Sequence, residues 1–114
     1  MQSWHRDYLA AAGGARADYE RIAALYRTGR GTPAPGECAE LRRKATDLVR
    51  GPGAALGAPV ARVADELHRA YESLARFGEL CEAGRAIEAL EDFDRATRSF
   101  RRARTLLEPF DLSP

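Results

Sequence analysis

Residues 60–107 read VARVADELHRAYESLARFGELCEAGRAIEALEDFDRATRSFRRARTLL, and the spacing of their apolar side chains decides the fold. Val60, Val63, Leu67, Ala70, Leu74, Phe77 and Cys81 advance in alternating steps of three and four. That is one face of an α-helix, held over two heptads. Ala89, Phe93, Ala96, Phe100, Ala103 and Leu107 repeat the same alternation. Only a short connection around Gly84 separates the two runs, which forces the helices into an antiparallel hairpin. Alternating Ala with Phe on one helix and with Leu on the other lets the axes approach while the large side chains interdigitate.

Upstream, Trp4, Tyr8, Ala11, Ala15, Tyr19, Ile22 and Tyr26 mark a first helix over about 3–27, with Ser3 as its cap. Gly13 and Gly14 fall in its middle, cost roughly 2 kcal/mol against alanine, and mark a candidate kink. The Gly- and Pro-containing stretch 28–34 is a loop. Pro35 then opens a shorter helix over about 35–50, whose inward stripe is Cys38, Leu41, Ala45 and Leu48. Gly51-Pro52-Gly53 stops it, and a linker runs on to Pro59. The expected helices therefore span 3–27, 35–50, 59–83 and 86–108, with a tail over 109–114. They make one all-α domain: an antiparallel helical bundle of three long helices and one short helix, closed by a tight C-terminal hairpin. The short helix reaches roughly 20 Å against roughly 35 Å for the others, so one side of the bundle is partly uncovered. Either the 51–59 linker folds over it, with Leu56 docking, or a partner does.

A length of 114 residues suits one domain. With 22 Ala, 17 Arg, a single Lys and no Asn, the composition favours helices over a large sheet and looks like coding bias of a GC-rich bacterial genome. Eighteen basic and 17 acidic residues leave no large field of one sign over the chain as a whole. No apolar run approaches the roughly 18 residues of a membrane span, and no charged-then-apolar leader opens the sequence. Cys38 and Cys81 both fall on inward stripes, where they read as buried reduced thiols rather than an inter-helix disulfide. A cytoplasmic location is the expectation that follows.

The chemistry-bearing residues give no constellation for catalysis, metal or cofactor. A di-metal bundle needs two Glu-x-x-His pairs, whereas the chain has only His5 and His68, and only Asp65-x-x-His68 has an upstream acid at that spacing. His68 follows the inward Leu67 and points about 100° away from the core, toward solvent. The Arg62-x5-His68 spacing resembles the Arg-x(4–6)-His element of HEPN-type helical ribonucleases, which implies an RNA-cleaving role for that pair. Arg95, Arg98, Arg101, Arg102 and Arg104 crowd the last helix, behind Glu88, Glu91, Asp92 and Asp94. Acids first and bases last suit the helix dipole, and Glu91–Arg95 and Asp94–Arg98 stand at i,i+4. The cluster thus reads as a solvated face, with binding to RNA, DNA or an acidic protein as the alternative.

The segment from Gly84 to Ala96 resembles the second helix of a tetratricopeptide repeat. Gly84, Ala89, Phe93 and Ala96 stand at that motif's glycine, small, aromatic and small positions. The resemblance covers 13 of 114 residues and has no second copy at a 34-residue period. It implies close hairpin packing and, through stacked repeats, peptide binding. Beside the hairpin seam, Ala64, Tyr71 and Gly78 form a second, seven-residue stripe able to accept another helix from within the chain or from a partner. In the tail, Phe110 and Leu112 either cap the bundle or form an exposed hook. The expected function is a non-enzymatic protein–protein interaction module, an adaptor, chaperone-like partner or small assembly subunit. Its partner surface is Ala64, Tyr71, Gly78, Phe110 and Leu112, and its simplest partner a second copy or an operon-encoded protein. The alternative is a nucleic-acid-binding or HEPN-like helical protein.

Overall fold

A computed structural model describes residues 1–51 and 55–114. Four helices follow one another: α1 (Gln2–Thr28), α2 (Pro35–Arg50), α3 (Ala61–Glu82) and α4 (Ala86–Leu107), then a single 3-10 turn (Glu108–Phe110). No strand occurs among the described residues. The all-α bundle with one shorter helix and a C-terminal hairpin is therefore the fold.

Gly84 makes the hairpin. Its φ of +80° turns the chain where a side chain would be strained. The Gly84 N–H then reaches the carbonyl of Cys81 at 3.0 Å and the Arg85 N–H that of Leu80 at 2.9 Å, which satisfies the end of α3. Both seams face inward: Val63, Leu67, Ala70, Leu74 and Phe77 are fully buried, and so are Ala89, Ala96, Ala103 and Leu107. α1 lies across the hairpin through its aromatic rings, Tyr19 stacking on Phe93 at 5.0 Å and Tyr26 meeting Phe77 edge-on at 6.4 Å.

Three local expectations are corrected. α1 runs unbroken through Gly13 and Gly14, because helix propensity is a weak prior and the packing on either side of the pair holds it. Gly14 also lies under the side chain of Lys44, which crosses from α2 to reach Asp18 Oδ2 at 2.8 Å. The helix opens at Gln2 with no side-chain cap, so Ser3 is inside the first turn. Ala12 is buried in place of Ala11, a shift of one residue that keeps the stripe on the core side.

Cys38 and Cys81 are joined as a disulfide between α2 and α3, which overturns the reading of two reduced thiols. The two inward stripes meet with their Cα atoms 5.8 Å apart, within bonding reach. The short side of the bundle is filled from within. Leu56 and Ala58 are buried, and the Trp4 indole N–H donates to the carbonyl of Ala55 at 3.1 Å. Gly51 ends α2 as expected; Pro52 and Gly53 lie outside the described residues. The tail folds back on α1, with Leu112 packed on the core and the His5 ring bonded through Nε2 to the Ser113 carbonyl at 2.6 Å. Phe110 remains 45% exposed.

Candidate functional site

Arg62, Arg69 and Arg76 recur every seven residues on α3, so they share one face of that helix. Arg95, Arg98 and Arg102 step by three and four on α4. The hairpin sets the two rows side by side, and the valley between them is a surface groove. Its two stretches, of 290 and 500 Å³, share Arg69 and Arg102. Seven arginines line it, the two rows and Arg101, against the carboxylates of Asp65, Glu66 and Glu72. A chain balanced as a whole thus carries a locally cationic face.

Two buried carboxylates hold the rows from below. Glu66 on α3 pairs with Arg69 at 3.2 Å and with Arg102 of α4 at 2.9 Å. Asp92 on α4 pairs with Arg95 at 3.2 Å and reaches Arg76 of α3 at 3.9 Å. Each acid therefore bridges one arginine of each helix. Asp92 is 3% and Glu66 9% exposed, so these pairs are screened less than ordinary surface ion pairs. Arg102 also donates to the nearly buried Ser99 hydroxyl at 3.3 Å. Arg62, Arg98 and Arg101 make no ion pair among the described residues.

This arrangement corrects the expected i,i+4 pairing on α4. Arg95 turns to Asp92, three residues back, because Asp92 is tucked between the helices while Glu91 faces solvent. Arg98 is left without Asp94. The sequence showed the α4 arginines but not their partners. The signal for the second row was the seven-residue spacing of Arg62, Arg69 and Arg76.

The expected partner stripe sits elsewhere. Tyr71 is fully buried, its hydroxyl 2.6 Å from that of Tyr8. Burial pushes the phenols of both residues above their ordinary pKa, Tyr71 strongly. Gly78 is pressed against α2, and Ala64 is half-buried on the core. The stripe accepts helices of the same chain at Tyr71 and Gly78, which withdraws those two residues from the surface and leaves Ala64 partly exposed. Of the tail pair, Phe110 is open to a partner and Leu112 is half-buried. Arg62 lines the groove while His68 hydrogen-bonds Glu72 at 2.7 Å, and the two share no cavity. Among the described residues, no group of three His, Cys, Asp or Glu side chains is placed to hold a metal. No described helix is long and apolar enough to cross a membrane. Compared with known proteins, the chain matches no family model, no curated protein and no solved structure.

Proposed function

We propose that this chain is a non-enzymatic protein–protein interaction module that docks an acidic protein segment along the α3–α4 groove. The carrying observation is the charge of the groove, seven lining arginines against four carboxylates, Asp65, Glu66 and Glu72 in the lining and Asp92 beneath it, in a chain whose totals are 18 and 17. Arginine forks suit carboxylates, and a charged groove steers an oppositely charged partner. Asp65 and Glu72, set among the arginines, favour an acidic protein segment whose carboxylates are spaced apart over a continuous phosphodiester strand. A second copy meeting this face with its own would oppose arginine to arginine. A homodimer through the groove instead needs the acidic start of α4, with Glu88, Glu91 and Asp94, as the inserted surface.

The expectation of a cytoplasmic chain rests on reduced thiols, and the Cys38–Cys81 bond removes that ground. A bonded pair supports an oxidising compartment for the module.

The test is fluorescence anisotropy with a labelled Glu- and Ala-rich helical peptide and, separately, a labelled single-stranded RNA. The variant joins Arg62→Gln, Arg98→Gln and Arg101→Gln, which breaks no ion pair among the described residues. The peptide is expected to bind the natural chain and to lose about tenfold or more in the variant, at about 0.5–1 kcal/mol per charged contact. RNA binding tighter than the peptide, falling steeply with salt, would replace this reading with a nucleic-acid one. No binding of either at low salt would remove the face altogether.

A further inference from the structure

The centre of the groove is charged differently from its ends. Around the 290 Å³ cavity stand five guanidinium groups, those of Arg69, Arg76, Arg95, Arg98 and Arg102. Three carboxylates answer them: Glu66 and Asp92 beneath, and Glu72 at the rim. Five against three leaves two positive charges uncompensated at this one place. A purely structural clamp between α3 and α4 would not need them. Glu66 and Asp92 already join the helices through Arg102 and Arg76, and Arg98 adds nothing to that clamp.

The geometry also leaves donors free. Each guanidinium carries five N–H groups in a rigid fork, and the ion pairs to Glu66 and Asp92 engage only part of each fork. The two acids draw four of the forks toward the floor of the groove, Arg69, Arg95 and Arg102 through hydrogen bonds and Arg76 at 3.9 Å, which pre-orders them in part for an anion. Arg98 supplies a fifth with no anionic partner of its own.

We propose that this centre is a phosphomonoester site, built to take a phosphorylated serine or threonine side chain of the acidic segment that docks on α3–α4. A phosphomonoester carries about two negative charges at neutral pH and three acceptor oxygens, which matches the uncompensated charge. A single carboxylate or a phosphodiester brings one charge and leaves the other unanswered. At about 290 Å³ the cavity has room for a phosphorylated side-chain head. It opens along the face on which a docked segment would run.

Because the site rests on the docking reading above, the experiment separates the two. An acidic peptide of Glu and Gly around one central serine is titrated by calorimetry in its plain and phosphoserine forms. Inorganic phosphate alone and a single-stranded RNA are titrated beside them. The phosphoserine form is expected to bind about tenfold or more tightly than the plain one, as added charge-assisted hydrogen bonds require. Arg98→Gln should remove most of that advantage while weakening the plain peptide only by the roughly two- to fivefold of one lost charged contact; Arg98 is exposed and makes no ion pair among the described residues, and circular dichroism checks that the variant folds. Equal affinity for both peptides overturns the phosphomonoester site and leaves the docking reading standing. Failure of both peptides overturns both. Inorganic phosphate binding as tightly as the phosphopeptide assigns the centre to a free anion, and tighter RNA binding assigns it to a nucleic acid; either result overturns the proposal.

Discussion

Tyr8 and Tyr71 share one buried hydrogen bond, their hydroxyl oxygens 2.6 Å apart where α1 meets α3, and both residues are fully covered. Each hydroxyl is the side-chain partner of the other, so removing one strands its neighbour away from water. Tyr8→Phe or Tyr71→Phe alone should cost about 1–3 kcal/mol, the usual toll of an unsatisfied buried hydroxyl. The double change should cost less than the sum, since it leaves no orphan. Thermal unfolding of the four proteins gives the coupling, and additivity within about 0.5 kcal/mol would show the bond to be absent. The same set has a pH signature. Burial, ahead of any other cause, raises both phenols in the folded chain, whereas in the unfolded chain they ionise near pH 10. Their contribution is therefore complete below about pH 10 and is lost as pH rises above it, and the double Phe variant should show a shallower alkaline loss.

Gly13 and Gly78 are both helical glycines, and alanine should act on them with opposite sign. A Cβ at Gly13 meets nothing within 4 Å, so Gly13→Ala should stabilise by about 1 kcal/mol through helix propensity. At Gly78 the added Cβ would stand 2.7 Å from the Arg42 Cβ and from the Cys38 carbonyl oxygen. One of those is backbone, so α2 and α3 would have to part, at about 1–3 kcal/mol or more. Melting curves decide it. A neutral Gly78→Ala would mean that α2 does not approach α3 as closely as described.

The same residue shows where sequence reading succeeded and where it stopped. The stepping of Leu67, Leu74, Phe77, Phe93 and Phe100 was legible because a helix buried on one face must repeat every three or four residues. Ala64, Tyr71 and Gly78 were legible as a second stripe, and a helix with two apolar stripes is one with neighbours on two sides. What no single helix states is which neighbour. α1 covers the stripe at Tyr71, through Tyr8, and α2 covers it at Gly78, through Cys38 and Arg42. The groove was half legible. Arginines 95 to 104 drew attention because they are crowded, whereas Arg62, Arg69 and Arg76 are spread over two heptads and pass for ordinary solvated positions. Their partnership depends on Glu66 and Asp92 turning inward, which charge patterning along one helix does not reveal.

Cys38 and Cys81, the two cysteines of the sequence, close a covalent loop between positions 43 residues apart. Such a crosslink chiefly restricts the unfolded ensemble, and for a loop of this length the chain-entropy account gives about 4 kcal/mol. It fastens α2, the shortest helix, to α3, beside the close approach at Gly78 and the Arg42–Glu82 ion pair of 2.9 Å. Cys38→Ser/Cys81→Ser should therefore lower the melting temperature by well over 10 °C, taking about 4–8 °C per kcal/mol for a domain near this size. Reductant should lower the natural chain to the same point and leave the variant unmoved. Alkylation of the denatured, unreduced protein followed by intact mass measurement reports the bond directly: neither cysteine should be modified before reduction and both after it. Full modification without reductant would return Cys38 and Cys81 to the state of buried thiols, and with it the case for a reducing compartment.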